Sequence, residues 1–276
     1  MSFLNNLLKN PIYIKAMYIK KRQESKKKLR IPSQAGYLAI LFSPLIILST
    51  FRYALHGAPS FDGSAWEGIS YTALAITMFL QLLYFVFKSV TSSFTSYSSE
   101  KEMRTYGSLL SSLMLPEDIL KGKFFVSFYP LFMELTCFFP LFAIMGILLK
   151  LNVYQIVGSY FLNLIVIIFF TLIGLYCSMI SNNSSKAHSR AVFIAGFIMV
   201  GTLLVDGLIA SVSQGTSVPV TVFINPGVAL GGLLYYSPAL PFWFRAVVFV
   251  CPFLMLLGSL ELWKVLSFET SRLPEK

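Results

Sequence analysis

Long stretches with little charge constrain the fold of this chain more than any other feature. No charged residue lies between Arg30 and Arg52, for example. About 20 apolar residues in a helix cross the roughly 30 Å hydrocarbon core of a bilayer. We therefore predict six membrane-spanning helices, at Pro32–Phe51, Gly68–Phe87, Phe124–Leu149, Val153–Ile180, Ala191–Ser211 and Phe242–Leu266.

Composition indicates the same class of protein. The chain is 56% hydrophobic and only 12% charged, whereas soluble domains carry about 25% charged residues. The net charge of +10 could suggest a nucleic-acid partner, but the basic residues lie at the ends of the apolar stretches, so we expect no nucleic acid to bind. The sequence predicts an all-α, polytopic membrane protein with a single domain over residues 1–276.

The basic residues also predict the orientation. If the N-terminus lies inside, every Lys and Arg except Arg52, Lys150 and Arg245 falls on the inner side. Cytoplasmic segments carry an excess of these residues. We therefore expect a multi-pass protein of the cell inner (cytoplasmic) membrane, with both termini in the cytoplasm.

Two segments outside the spans have distinct predictions. Residues 1–30 combine a weak apolar stripe with many basic residues, which predicts an amphipathic interfacial helix held by membrane lipids. A basic tail that only sets topology is the alternative, and no cleavable signal peptide is expected. Residues 212–241 carry no charge, but Asn225-Pro226-Gly227 breaks a helix near their middle. We predict two half-helices that form an outer re-entrant segment.

Ser98–Lys123 is a long polar stretch between the second and third predicted spans. An apolar stripe at helical spacing follows a mixed-charge run that includes Lys101; the stripe contains Leu109, Leu110, Leu113 and Met114. Pro116 with the two acids after it predicts a second helix start. We expect this segment to lie flat at the membrane surface.

The order of residues in this segment resembles the cytoplasmic coupling segment of ABC-2-type exporter permeases. That family has Glu-x-Glu, Gly-Thr, Leu-Leu and Pro-x-Glu-Ile-Leu-x-Gly-Lys in this order. The matching residues here are Glu100-Lys101-Glu102, Thr105, Leu109-Leu110 and Pro116-x-Asp118-Ile119-Leu120-x-Gly122-Lys123. Arg104 stands where the family usually has glycine, and Leu113 where it often has the first of two prolines.

The resemblance implies a permease subunit of an ATP-driven ABC exporter for a lipid-like, hydrophobic or peptide substrate. It also implies a pair of cytoplasmic ABC ATPase subunits that hold ATP and Mg²⁺, and a second permease copy or a related permease. The chain lacks Gly-x-x-x-x-Gly-Lys-Ser/Thr, so we expect no cofactor in it and no ATP hydrolysis by it. The family's ATPase-coupling contacts map to Glu100, Glu102, Arg104, Thr105, Pro116, Asp118 and Lys123.

The sequence contains no catalytic or metal-binding pattern. Three acids fall within apolar stretches. Glu134 would be costly to ionise there without a partner, and we interpret it as a possible substrate-path residue or as a contact between helices. We predict that Asp206 caps a helix or faces water at the outer interface, and that Glu261 pairs with Lys264.

Other interpretations stay open. The Ser98–Lys123 segment could be an ordinary interfacial helix with solvated charges. A self-sufficient secondary transporter or channel would need an intramembrane ion relay, for which only Glu134 is placed, and no internal inverted repeat is visible. A scaffold that holds a membrane assembly is a third possibility. Five glycines fit close helix approach, either within the subunit or across a dimer seam, namely Gly158, Gly174, Gly196, Gly201 and Gly207.

Overall fold

The computed structural model describes residues 63–105, 115–148, 151–212, 221–235 and 242–272. All regular secondary structure in these ranges is helical. A π-helical turn, Phe197–Gly201, joins α5 to α6, and a 3₁₀ turn, Thr221–Ile224, precedes α7. The α-helices are α1 Gly63–Ser93, α2 Thr95–Glu102, α3 Pro116–Leu148, α4 Val153–Ile180, α5 Ser184–Gly196, α6 Thr202–Val212, α7 Pro226–Leu234 and α8 Phe242–Arg272.

Several predictions concern residues outside these ranges. They are the interfacial helix over 1–30, the first span Pro32–Phe51, and the apolar stripe of Leu109, Leu110, Leu113 and Met114. The number of six spans and the re-entrant position of residues 212–241 likewise stay predictions.

Four helical stretches are long and apolar enough to cross a membrane, so this is a helical membrane protein. They are Leu74–Glu102, Val153–Ile180, Ser184–Ile209 and Phe242–Ser271. They correspond to the predicted second, fourth, fifth and sixth spans, and the fourth has the predicted bounds. The first of them ends in α2, whose sequence is polar, so the membrane-spanning part of that stretch lies in α1.

Two predicted boundaries are wrong. The helix of the fifth span does not begin at the predicted Ala191, because α5 already begins at Ser184 and buries Ala187 and Ala191, four residues apart, on its inner face. The stretch from Pro116 to Lys123 is not a separate surface helix. α3 starts at Pro116 as predicted but continues to Leu148 through Pro130 and Pro140, because its first turns already bury Ile119 and Leu120.

α4 is the central helix of the described fold. It packs against α1, α2, α3, α5, α7 and α8. The largest buried cluster joins α1, α4, α7 and α8 and includes Leu82, Phe170, Leu230 and Met255. Burial of such side chains stabilises helix contacts mainly through dispersion, since lipid is as apolar as the core.

Glycine allows close approach at some of the predicted positions. A Cβ on Gly174 of α4 would lie 1.9 Å from Ser93 Oγ of α1, and one on Gly158 would lie 2.6 Å from Leu233 Cδ1 of α7. A Cβ on Gly196 or Gly207 would meet no atom of the described residues within 4 Å, so close approach at these two glycines, for example across a dimer seam, stays a prediction. At Gly201 the nearest atoms belong to Phe197 of the same helical stretch.

Asn225 explains both the start of α7 and the π-helical turn. Its side-chain oxygen accepts from the backbone N–H of Gly227 at 2.8 Å and of Val228 at 3.3 Å, so Asn225-Pro226 begins a helix here. Its amide nitrogen donates to the Met199 carbonyl oxygen and to Thr202 Oγ1, both at 2.8 Å. A π-helical turn leaves backbone carbonyl oxygens without their usual N–H donors. The Asn225 amide supplies such a donor to the Met199 carbonyl oxygen.

Candidate functional site

Three of the seven predicted coupling residues, Glu100, Glu102 and Lys123, meet in one cluster around α2. We call it the α2 cluster and define it as Tyr97, Glu100, Glu102, Lys123, Ser178 and Ser184. α2 contacts the end of α1, the C-terminal part of α4 and the N-terminal part of α5. Lys123 adds the N-terminal part of α3. α2 therefore lies where α1 and α4 end and where α3 and α5 begin.

A side chain of α4 caps the N-terminus of α2. The N-cap residue Phe94 makes no side-chain hydrogen bond to the helix. Instead, Ser178 Oγ accepts from the backbone N–H of Tyr97 at 2.9 Å and of Ser98 at 3.0 Å. Both donors belong to the first turn, where N–H groups have no intrahelical acceptor. Because Ser178 is fully buried, the cap holds α2 against α4 inside the protein.

An ion pair joins α2 to α3. Lys123 Nζ lies 2.7 Å from Glu100 Oε2 and also donates to the Ser96 carbonyl oxygen. It lies 4.2 Å from the centre of the Tyr97 ring, within range of a cation–π contact. The Lys123 side chain is only 5% exposed and that of Glu100 is 26% exposed. These three contacts of the buried ammonium all go to α2.

A carboxylate of α2 caps the N-terminus of α5. Asn183, the N-cap residue of α5, makes no side-chain cap hydrogen bond. Glu102 accepts from the Ser184 backbone N–H at 2.7 Å and from the Ser184 hydroxyl at 2.8 Å. These hydrogen bonds lower the pKa of Glu102 below its ordinary value. A negative charge is also favoured at the positive end of the α5 dipole.

Lys101, between the two acids, contacts α4. Its Nζ donates to the Met179 carbonyl oxygen, close to the end of α4. Partial burial lowers the pKa of Lys101. The Glu-Lys-Glu sequence thus contacts three different helices in three successive residues.

α2 ends in a left-handed residue. Arg104 has φ of 57°. The Thr105 N–H donates to the Glu100 carbonyl oxygen at 3.0 Å, and the Arg104 N–H donates to the Lys101 carbonyl oxygen at 3.2 Å. This pair of hydrogen bonds is the Schellman motif, which usually has glycine at the left-handed position. Met103, Arg104 and Thr105 are exposed.

The other end of the predicted segment is the first turn of α3. Leu115 precedes it and is 68% exposed. Glu117 and Asp118 lie in the first turn, where acids are favoured by the helix dipole. Glu117 pairs with Lys121 at 3.0 Å on the helix surface.

The structure divides the predicted contact residues into two groups. Glu100, Glu102 and Lys123 are engaged with other helices of the same chain, whereas Arg104 and Thr105 are exposed. The sequence analysis missed Ser178, Ser184 and Tyr97, which complete the cluster. Serine is a common residue at helix starts, so Ser184 had a local signal. Ser178, in the last turn of the apolar helix α4, had none.

Glu134 has the partner that its position requires. Lys88 Nζ lies 2.5 Å from Glu134 Oε1 and 2.7 Å from Oε2. The two side chains are 26% and 32% exposed, and they join α1 to α3. The prediction of a contact between helices is confirmed, while the substrate-path role stays a prediction.

The other two acids that fall within apolar stretches, Asp206 and Glu261, also have partners. Asp206 is 6% exposed and accepts from the Thr221 backbone N–H at 3.1 Å, so it caps the 3₁₀ turn and does not face water. Glu261 pairs with Lys264 at 2.7 Å on α8 as predicted. Among the described residues, no group of three or more His, Cys, Asp or Glu side chains is placed to hold a metal ion.

Comparison with known proteins adds no identification. No protein-family model matches the chain, and no curated protein matches it.

Proposed function

We propose that this chain is the permease subunit of an ABC-2-type exporter. It would move a lipid-like, hydrophobic or peptide substrate and take its energy from two separate cytoplasmic ATPase subunits that bind ATP and Mg²⁺. A second copy of the chain or a related permease would complete the path. The α2 cluster would lie on the cytoplasmic side of the inner membrane, with both termini.

The contacts of the Glu-x-Glu pair are the observation that carries the proposal. A coupling element must pass a displacement from a soluble partner to membrane helices, so it must be bound firmly to several of them. Glu100 binds Lys123 of α3 and Glu102 binds Ser184 of α5. Ser178 of α4 caps the same short helix. A push on the exposed end of α2 would therefore act on α3, α4 and α5 together.

The left-handed residue gives the resemblance a physical basis. Glycine is favoured at this C-terminal position of a helix because it adopts positive φ without a Cβ clash. ABC-2-type permeases usually have glycine where this chain has Arg104. Arg104, the residue that differs from the family pattern, thus has the positive φ that glycine favours. This supports the same local structure here as in the family.

The structure changes the roles that we assign to the motif residues. We assign Glu100, Glu102 and Lys123 to joining the helices, because each is bound within the chain. We assign direct contact with the ATPase to the exposed residues Arg104 and Thr105. Pro116 and Asp118 lie in the first turn of α3, and we assign them to the start of that helix.

The secondary-transporter alternative has less support. Its one candidate relay residue, Glu134, is bound through both carboxylate oxygens to Lys88. A relay through Glu134 would require this ion pair to open in each cycle.

Site-specific photo-cross-linking tests the proposal in the native membrane. A photo-reactive amino acid would replace Met103, which is 65% exposed at the end of α2. The matched control is Met133, which is 41% exposed in the middle of α3. We expect a P-loop ATPase to cross-link at position 103 and not at position 133. ATPase activity should co-purify with the full chain after gentle solubilisation.

A charge reversal tests the surface itself. Arg104→Glu should reduce the amount of co-purified ATPase, while Lys186→Glu, on the exposed face of α5, should not. Purification of the chain without an ATPase, together with ATP-independent solute movement in liposomes, would support the secondary transporter instead. A stable complex with another membrane protein and no ATPase would support the scaffold.

A further inference from the structure

A small cavity lies between α1, α3 and α4, away from the α2 cluster. Its volume is about 20 Å³. Four side chains with polar atoms line it, Gln81 of α1 and Ser159, Tyr160 and Asn163 of α4. The Tyr160 hydroxyl lies 3.3 Å from Thr136 Oγ1 of α3. The apolar wall includes Met78, Leu135 and Phe139. Buried polar groups need hydrogen-bond partners, because removing them from water without one is costly.

Asn163 has an unsatisfied acceptor at this cavity. The residue is only 3% exposed. Its Nδ2 donates to the Ser159 carbonyl oxygen at 2.9 Å. That bond fixes the amide orientation, since a carbonyl oxygen needs a donor. Asn163 Oδ1 is left without a hydrogen-bond partner in the described part of the chain.

The neighbouring polar groups do not satisfy this oxygen. The Ser159 hydroxyl donates to the Ile156 carbonyl oxygen at 2.8 Å, so its hydrogen is already used. Gln81, which is 8% exposed, brings two N–H donors and one carbonyl acceptor to the same cavity from α1. The cavity thus separates an unsatisfied acceptor on α4 from a carboxamide on α1.

We propose that this cavity is a binding site for one water molecule, which bridges Asn163 Oδ1 and the Gln81 carboxamide. A water needs at least about 10–15 Å³ of such space and two or more polar partners, and this site has both. A metal cation would lack charge compensation, because no carboxylate lines the cavity. The bound water completes the hydrogen bonds between α1 and α4 inside the membrane. This inference does not depend on the proposed transport function.

X-ray hydroxyl-radical footprinting of the full chain in detergent micelles tests the site. Radicals form at bound water and oxidise methionine next to it even where the methionine is buried, and Met78 lines the cavity. Met78 is 2% exposed, and the internal controls Met255 and Met199 are 1% and 3% exposed and do not line it. We expect Met78 to form sulfoxide at least about fivefold faster than either control.

Two variants distinguish oxidation of Met78 by a bound water from oxidation that results from general solvent exposure of Met78. Asn163→Leu and Gln81→Leu remove the polar partners with little change in size, and Met78 oxidation should fall to the rate of Met255. Equal oxidation of Met78 and Met255 in the unmodified chain would overturn the proposal. Met78 oxidation that falls in sodium chloride relative to choline chloride would also overturn it, in favour of a cation.

Discussion

The buried ion pair of the α2 cluster should be strongly coupled, which a double-mutant cycle can measure. The cycle uses Lys123→Met and Glu100→Gln, alone and together. Methionine keeps most of the length of lysine but removes its charge and its donors. Lys123→Met therefore leaves the Glu100 carboxylate and the Ser96 carbonyl oxygen without their ammonium partner.

The expected magnitude follows from the exposure of the two side chains. Breaking a fully buried pair costs about 3–5 kcal/mol, while exposed pairs contribute about 0–1 kcal/mol. Lys123 is 5% exposed and Glu100 is 26% exposed, so the pair lies between these limits. We expect Lys123→Met to lower the free energy of unfolding by about 3 kcal/mol and the coupling free energy to be about 2 kcal/mol.

The assay is unfolding in mixed micelles with increasing dodecyl sulfate, followed by tryptophan fluorescence. Trp263 of α8 packs edge-on against Phe124, next to Lys123, with ring centres 5.6 Å apart. Its emission should report the separation of α3 and α8.

The same helix offers a matched control pair. Glu117 and Lys121 form an ion pair at 3.0 Å, four residues apart, with 65% and 40% of their side chains exposed. The double-mutant cycle of Glu117→Gln and Lys121→Met should give a coupling free energy of only about 0.3–0.5 kcal/mol. Equal coupling in the two cycles would refute the structural role of Lys123. Unchanged stability with loss of the ATPase would make Lys123 a docking residue.

Three further predictions use the same unfolding assay. Gly174→Ala should lower the free energy of unfolding by about 1–3 kcal/mol, because the new Cβ meets Ser93 Oγ at 1.9 Å; Gly196→Ala should be neutral or stabilising by up to about 1 kcal/mol, and equal effects would contradict the packing. Arg104→Gly should raise the free energy of unfolding by about 1 kcal/mol, because it relieves a left-handed residue, and a lower unfolding midpoint would argue against this account. The lowered pKa of Glu102 stabilises the fold above the unfolded pKa, and this contribution is lost as pH falls through the folded pKa. The stability difference between the unmodified chain and Glu102→Gln should therefore be constant above about pH 5 and shrink below about pH 4, and a constant difference down to pH 3 would contradict the sign.

Features that depend only on residues close together in the sequence could be predicted from the sequence. The fourth span has its predicted bounds because the apolar run Val153–Ile180 is flanked by polar residues, and hydrophobicity needs no knowledge of distant contacts. Pro116 marks the start of α3 for a similar local reason, since proline and the acids after it fit the first turn. The Glu261–Lys264 ion pair could also be predicted, because residues three positions apart lie on the same face of a helix.

The predicted boundaries failed where polar residues continue a helix. Ser184–Arg190 has the composition of a loop, yet α5 starts there because Ala187 packs inward and Glu102 caps the new N-terminus. Likewise the stretch after Pro116 is polar enough for a surface helix. However, Ile119 and Leu120 are buried, and the helix that contains them continues as α3 to Leu148. In both cases a contact from another helix decided the boundary.

The sequence by itself thus determined that this is a helical membrane protein, because about 20 apolar residues in a row have only that solution in a lipid solvent. It also identified the polar segment that contains Glu100 and Glu102. Only the tertiary structure decided what those side chains bind. Lys88 and Glu134 are 46 positions apart, and Ser178 lies 81 positions from Tyr97. Which donors and acceptors meet over such separations depends on how the helices pack, and no local pattern encodes that.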